Sequence, residues 1–282
     1  QYSDGEKKNA LLAYIIAKKP DYIIIDNIFD NLDANAQSAI VNTLADLSKH
    51  TIIIQIANRK NDILSFIHDI YFLQENKLVL QQENNELMYE PPLHFLEALP
   101  PPYQTNNVEK DPLVKFNNVT IKYEDSIIVK DINWEINAGE FWQLTGPNGS
   151  GKSTLLSLIT GDNTKAYGQH LILFGIKKGS GESVWDIKEK IGYLTSTMSQ
   201  QFSRLDSIEK MVISGYFDSI GLYITPTDTQ IQLARQWLKL IGLYDKRQKP
   251  FLSFSLGHQR LILIVRAMVK HPPLLILDEP TA

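Results

Sequence analysis

Gly146-Pro147-Asn148-Gly149-Ser150-Gly151-Lys152-Ser153-Thr154 decides the fold of this 282-residue chain. Its glycines free backbone N–H groups to curl around phosphate oxygens. The residues from Lys152 to Ile159 predict a helix, whose positive N-terminal end favours negative charge. Lys152 stands where an ammonium reaches β- and γ-phosphates, and Ser153 where a hydroxyl meets Mg2+. A bare GxxxxGK[ST] spacing arises by chance in about one in a hundred chains of average composition. The strand expected over Glu140 to Leu144 and the helix after the loop make the match more specific. Gly146, Asn148, Gly149, Ser150, Gly151, Lys152, Ser153 and Thr154 are therefore the candidate phosphate-binding residues.

Outward from the loop, the two ends of the chain repeat each other. A shift of 252 positions places Ser3-Asp4-Gly5-Glu6 on Ser255-Leu256-Gly257-His258 and Ile23-Ile24-Ile25-Asp26 on Leu275-Ile276-Leu277-Asp278. The separation from serine to aspartate is 23 in both copies. Repetition at this period means two copies of a whole domain, not a solenoid of small units. The second copy begins near Asp111, so the first is expected to lack its initial 140 or so residues on this repeat logic. The second lacks the stretch matching Asn31 to about Leu80. The chain is expected to be a piece of a longer tandem protein.

Between the copies the composition changes. Pro91, Pro92, Pro100, Pro101, Pro102 and Pro112 are drawn from only 13 prolines in the chain, and six acidic residues there face a single Lys110. Residues 81–111 thus predict a stiff, acidic interdomain linker, with a partial domain at 1–80 and a fuller one at 112–282. In the first, helices over Lys7 to Lys18 and Ala34 to Ser48 alternate with strands over Tyr22 to Ile25 and Thr51 to Ile56. Both strands have the continuous apolar content of strands buried on two faces. Ile70 to Gln82 predicts a hairpin. In the second, Val114 to Tyr123 and Ile127 to Ile136 are strand-like, and Asp228 to Leu243 carries a helical apolar face. Strand, helix, strand in this order belongs to an α/β fold with a parallel sheet.

The net charge of -4 supplies no electrostatic footprint for nucleic acid, which makes such a partner unexpected. The absence of cysteine removes disulfides and thiolate metal sites and fits an intracellular setting. No apolar run reaches the ~20 residues of a membrane helix, so a membrane role has to come through a partner.

Asp278 closes a strand and Glu279 follows it. One carboxylate there can hold the Mg2+ shell while the next polarises an attacking water. Ser3-Asp4-Gly5-Glu6 opens a helix as a capping box, yet a serine and a glycine amide at a helix start also suit a γ-phosphate. The repeat favours the second role, because His258 replaces the glutamate while Ser255 and Gly257 stay. Tyr123, 23 residues before Gly146, either stacks on adenine or fills the core.

Together these motifs resemble the ATP-binding cassette (ABC) ATPases. The loop matches Walker A, Leu274 to Glu279 matches Walker B with its catalytic glutamate, and the stretches at Tyr2 to Glu6 and Phe254 to His258 match the LSGGQ-type signature. Among tandem members, Ile213 to Gly221 and Val265 to Pro272 are similar to the molybdenum-transport/photorepair type. The resemblance implies a P-loop core with an antiparallel β subdomain and a helical signature subdomain, in two partial cassettes. It also implies ATP and Mg2+ as ligands, Lys152 and Glu279 as catalytic residues, and Ser153 and Asp278 as the metal-side ligands. Head-to-tail packing would pair this P-loop with Ser3, Gly5 and Glu6, and would leave Ser255 and Gly257 for a P-loop elsewhere in the tandem protein. A separate membrane permease is the implied partner, with molybdate or another small solute as cargo, and a cytoplasmic location peripheral to the membrane. A soluble switch acting on nucleic acid or the ribosome is the alternative reading. The chain departs from the pattern at Asn27, where a glutamate is expected, with Asp30 nearby, and at Asn58, where a histidine is expected. At Ser196, where a glutamine is expected, Gln200 and Gln201 lie close by. One composite site is therefore expected to be degenerate.

Overall fold

A computed structural model describes residues 4–29, 32, 34–57, 62–74, 77–80, 98–104, 112–195, 198–202 and 206–280. The chain divides into two compact units, residues 1–94 and 95–282.

The first unit contains helix α1 (Asp4–Ala17), strand β1 (Tyr22–Asp26), helix α2 (Ala34–Leu47), strand β2 (Ile52–Ile56) and the hairpin of β3 (Tyr71–Gln74) and β4 (Lys77–Leu80). β1 and β2 run parallel, Tyr22 opposite Ile52 and Asp26 opposite Ile56. Leu12 of α1, Ile23 and Ile25 of β1, and Ile40 and Leu44 of α2 form the core. The expectation of strands buried on both faces is corrected here. Tyr22, Ile24, Ile52 and Ile54 are exposed, because α1 and α2 cover one face and no described residue covers the other.

In the second unit, β5 (Val114–Tyr123), β6 (Ser126–Ile136), β7 (Leu171–Leu173) and β8 (Ile176–Lys177) form an antiparallel sheet in the order β6-β5-β7-β8. Helix α3 (Lys152–Ile159) packs Leu155, Leu158 and Ile159 into the same core as this sheet. Helix α4 (Val184–Lys188) is followed by β9 (Ile191–Leu194), which pairs in parallel with β10 (Leu274–Leu277). Between them come α5 (Met198–Gln201), α6 (Ile208–Ser214), α7 (Asp228–Leu240) and α8 (Leu256–Met268), gathered around a second core that includes Met211, Trp237, Phe251 and Ile262. Capping boxes start α4 at Ser183 and α7 at Thr227, each satisfying backbone donors at a helix start.

The repeat seen in sequence is present in the backbone. α1 and β1 of the first unit have their counterparts in α8 and β10 of the second. Lys19 and His271, 252 positions apart, both take φ 50°, and Asn27 and Glu279 take φ 43° and 51°.

Part of the proline-rich segment packs within the second unit. Pro100 is buried, and Leu99 lines an apolar cavity of about 220 Å3 with Trp237, Met268, His271, Pro272 and Leu275. Tyr103 meets the Tyr216 ring edge-on at 5.7 Å. Prolines without an N–H to satisfy suit a chain laid across an aromatic surface.

The strand expected over Glu140 to Leu144 is absent. Phe141 is fully exposed, and the Glu140 carboxylate accepts the Asn137 amide at 2.8 Å and the Trp142 indole N–H at 3.0 Å. Those bonds, the amide first, hold the carboxylate below its ordinary range and curl the chain into a turn. A run with a strand's apolar content needs a paired neighbour, and no described residue supplies one.

Candidate nucleotide site

The glycine loop owes its shape to backbone conformations that other residues adopt poorly. Gly149 has φ 80°, and Gly151 has φ 94° as N-cap of α3. A Cβ on Gly151 would lie 2.5 Å from a Val129 methyl and 3.2 Å from the Ile128 carbonyl oxygen, so β6 presses directly on the loop. No side chain caps α3, which leaves its first N–H groups directed at the loop. Lys152 reaches back over the loop, donating to the carbonyl oxygens of Gly146 at 2.6 Å and Pro147 at 3.0 Å. Its ammonium is thus held at the mouth of a nest of amides, with Asn148, Gly149 and Ser150 exposed, Ser153 exposed and Thr154 half-buried. This arrangement suits a polyphosphate, which calls for donors and a cation together.

β10 delivers the two carboxylates. Ile276 is buried in the core that also holds α3, and the Asp278 amide donates to the Leu194 carbonyl at 2.9 Å, extending the pairing with β9. Asp278 is half-buried and Glu279 exposed. Burial raises the Tyr193 phenol, and the negative charges of Asp278 and Asp162 raise it further. Glu279 occupies the left-handed region at φ 51°, a conformation uncommon for a side chain of this type.

Tyr123 ends β5 with its ring 44% exposed. Its hydroxyl accepts from Asn163 Nδ2 at 2.9 Å, and the same amide nitrogen donates to Ser157 Oγ of α3 at 3.0 Å. The ring is therefore tied to the helix that follows the loop rather than sunk in the core. Sequence reading missed Asn163, which is buried and caps a short 3-10 turn with its side-chain oxygen.

Ser255 is the N-cap of α8, and Gly257 has open space around its Cα. The capping box was expected to be weakened by His258. The backbone bond is indeed long, 3.5 Å from the His258 amide to Ser255 Oγ. The imidazole takes up the slack, with Nδ1 2.7 Å from Ser255 Oγ. In the other copy, Tyr2 and Ser3 lie outside the described residues, while Gly5 and Glu6 fall in the first turn of α1. Asp30, Asn58 and Ser196 also lie outside the described residues; Asn27 follows β1 and donates its amide to the Ile56 carbonyl at 3.2 Å. Gln200 and Gln201 are exposed on α5.

Among the described residues, no group of three or more His, Cys, Asp or Glu gathers, and no helix is long and apolar enough to cross a membrane.

A family model described as ABC transporter matches residues 129–282. The chain is 40% identical to the ABC transporter ATP-binding protein ModF of Escherichia coli (strain K12), over 99% of this chain and 60% of that protein. It is 30% identical to an uncharacterized ABC transporter ATP-binding protein of Schizosaccharomyces pombe, over 99% of this chain and 58% of that protein. The chain thus spans about three fifths of the length of these relatives. Among solved structures it is similar to cbiO1 from Clostridium perfringens, part of the ABC transporter complex cbiONQ, with a TM-score of 0.52 and 26% identity over 61% of this chain and 67% of that one. A dimeric bacterial ABC transporter cassette gives a TM-score of 0.50 and 26% identity over 60% of this chain and 74% of that one.

Proposed function

Because this chain belongs to the ABC transporter family of ATPases, we propose that the loop at Gly146–Thr154 binds ATP and that Glu279 drives its hydrolysis with Mg2+. The observation that carries this reading is the loop itself: a left-handed Gly151 pressed against β6, uncapped amides at the start of α3, and the Lys152 ammonium held over them.

In this reading the loop amides and Lys152 bind the phosphates and Tyr123 offers a ring to the adenine. The Ser153 hydroxyl and the Asp278 carboxylate would hold Mg2+, which supplies charge neutralisation along the phosphate chain. The Glu279 carboxylate accepts a proton from water as that water's oxygen bonds to the γ-phosphorus and the bond from phosphorus to the β–γ bridging oxygen breaks. ADP and inorganic phosphate are the products. Ser3, Gly5 and Glu6, and their repeats Ser255 and Gly257, would each offer a serine and glycine amides at a helix start to a γ-phosphate. A site that uses Asn27 in place of a carboxylate would bind ATP and turn it over slowly, because an amide orients water without accepting its proton.

Hydrolysis should therefore require Mg2+. The full-length protein is expected to hydrolyse ATP in Mg2+ buffer and to lose that activity in excess EDTA; equal rates in the two conditions would refute the reading. We further propose that the cassette serves a transport system through a separate membrane partner, with a small solute such as molybdate as cargo. Family membership and the lack of a nucleic-acid footprint support this. Full-length protein should then sediment with membranes from its own cells, and recovery of all of it in the soluble fraction would count against transport.

A further inference from the structure

Two stretches that the sequence singles out, Ile213 to Gly221 and Val265 to Pro272, face each other across one buried polar cluster. Lys270, 8% exposed, donates from Nζ to both carboxylate oxygens of Asp218 at 2.6 Å and to the Lys188 carbonyl at 2.7 Å. Arg266, also buried, donates from Nε to Ser214 Oγ at 3.1 Å and from Nη2 to the Ser219 carbonyl at 3.0 Å. Burial pushes the Asp218 carboxyl up and the Lys270 amine down, and each is opposed first by the other's charge. Buried pairs of this kind are often replaceable by apolar residues without loss of stability, so stability alone is a weak reason for three charges here.

The cluster continues in one direction. The Lys188 ammonium pairs with Asp162 at 2.6 Å, and Asp162 accepts from Thr160 Oγ at 2.8 Å. Thr160 is the C-cap of α3, the helix that Lys152 opens. At the other end, Lys270 follows Val269, the C-cap of α8, whose N-cap is Ser255. The backbone of α8 is wedged at this end. A Cβ on Gly192 of β9 would stand 2.2 Å from the Ala267 carbonyl oxygen, and one on Gly215 after α6 would stand 2.1 Å from that of Arg266. Packing that admits no Cβ at either glycine leaves α8 little room to shift alone.

We infer that Lys270 and Asp218 are positioning residues: with Lys188 and Asp162 they lock the end of the signature helix α8 to the end of the loop helix α3, so that nucleotide on the loop is felt at Ser255 and Gly257. The inference rests on the reading that the loop binds ATP.

Amide hydrogen exchange of this chain with and without Mg-ATP tests it, alongside labelled-ATP binding. In the parent, ATP should change exchange over residues 255–260 by about fivefold or more, the low end of usual couplings. Lys188→Met cuts only the outer arm of the cluster, at a side chain 34% exposed, and should fold normally. It should bind ATP as the parent does and lose most of the response at 255–260. The paired Asp218→Asn, Lys270→Met variant should do the same. ATP binding with an undiminished response in both variants, or with no response in the parent, overturns the joint alone. No ATP binding by the parent overturns the loop assignment, and the joint with it.

Discussion

Glu279→Gln is expected to lower steady-state ATP hydrolysis by the full-length protein by about 10²–10⁴, the usual contribution of a positioned general base. Glutamine keeps the size and the hydrogen-bonding reach of the side chain, so ATP should still bind and the variant should accumulate in an ATP-loaded form. The geometry makes the position specific. β10 ends at Leu277, the Asp278 amide still pairs with β9, and Glu279 then turns into the left-handed region, lifting its carboxylate into solvent. Asn27 occupies the same place and the same backbone region after β1. Asparagine tolerates that region better than glutamate does, so the first copy can make the same turn with an amide where the second has a carboxylate. Asn27→Asp should accordingly change turnover far less than Glu279→Gln. Near-parent rates in Glu279→Gln, together with loss of activity on substituting Asn27, would mean the two sites are assigned the wrong way round.

Much of the fold is written locally. The helix after the loop, the helix from Ala34, the β3–β4 hairpin and the long β5–β6 pair all follow from periodicity and from turn residues acting within a few positions. The repeat is equally legible, because it is a property of spacing, and it carries through to the backbone angles at Lys19 and His271. What periodicity does not contain is the cover over a strand. Tyr22 and Ile24 have the apolar character of a two-sided strand, yet only the Ile23 and Ile25 side is packed, because burial depends on what another element brings. Phe141 to Leu144 show the same limit: apolar content suggests a strand, but strand structure needs a partner's N–H and C=O groups.

The site divides along a similar line. The proposed roles of Gly151, Lys152, Ser153, Asp278 and Glu279 rest on spacing, because phosphate and metal chemistry calls for set residue types at set separations. The residues around them follow no such spacing. His258 looks like the loss of a capping glutamate, yet its ring meets the Ser255 hydroxyl instead, a contact that a glutamate in a capping box does not make. Asn163 is an unremarked asparagine in a loop until Tyr123 and Ser157 are seen on either side of it. Asp218 and Lys270 lie 52 positions apart, and no local pattern joins them. Long-range polar pairs of this sort are set by packing, and a single sequence gives no spacing rule for them.

Binding of labelled ATP to the chain and to its Lys152→Ala variant tests the central claim most directly. The Lys152 ammonium folds over the loop, donating to the Gly146 and Pro147 carbonyls. On a polyphosphate it would exchange those neutral acceptors for charged oxygens, and hydrogen bonds to charged groups contribute about 1.5–3 kcal/mol each. Alanine removes the cation and leaves the loop backbone as it is. The parent should bind ATP, and the variant should bind at least about tenfold more weakly, the equivalent of losing a single charged contact. Equal affinity of parent and variant would contradict the assignment of this loop as the ATP site.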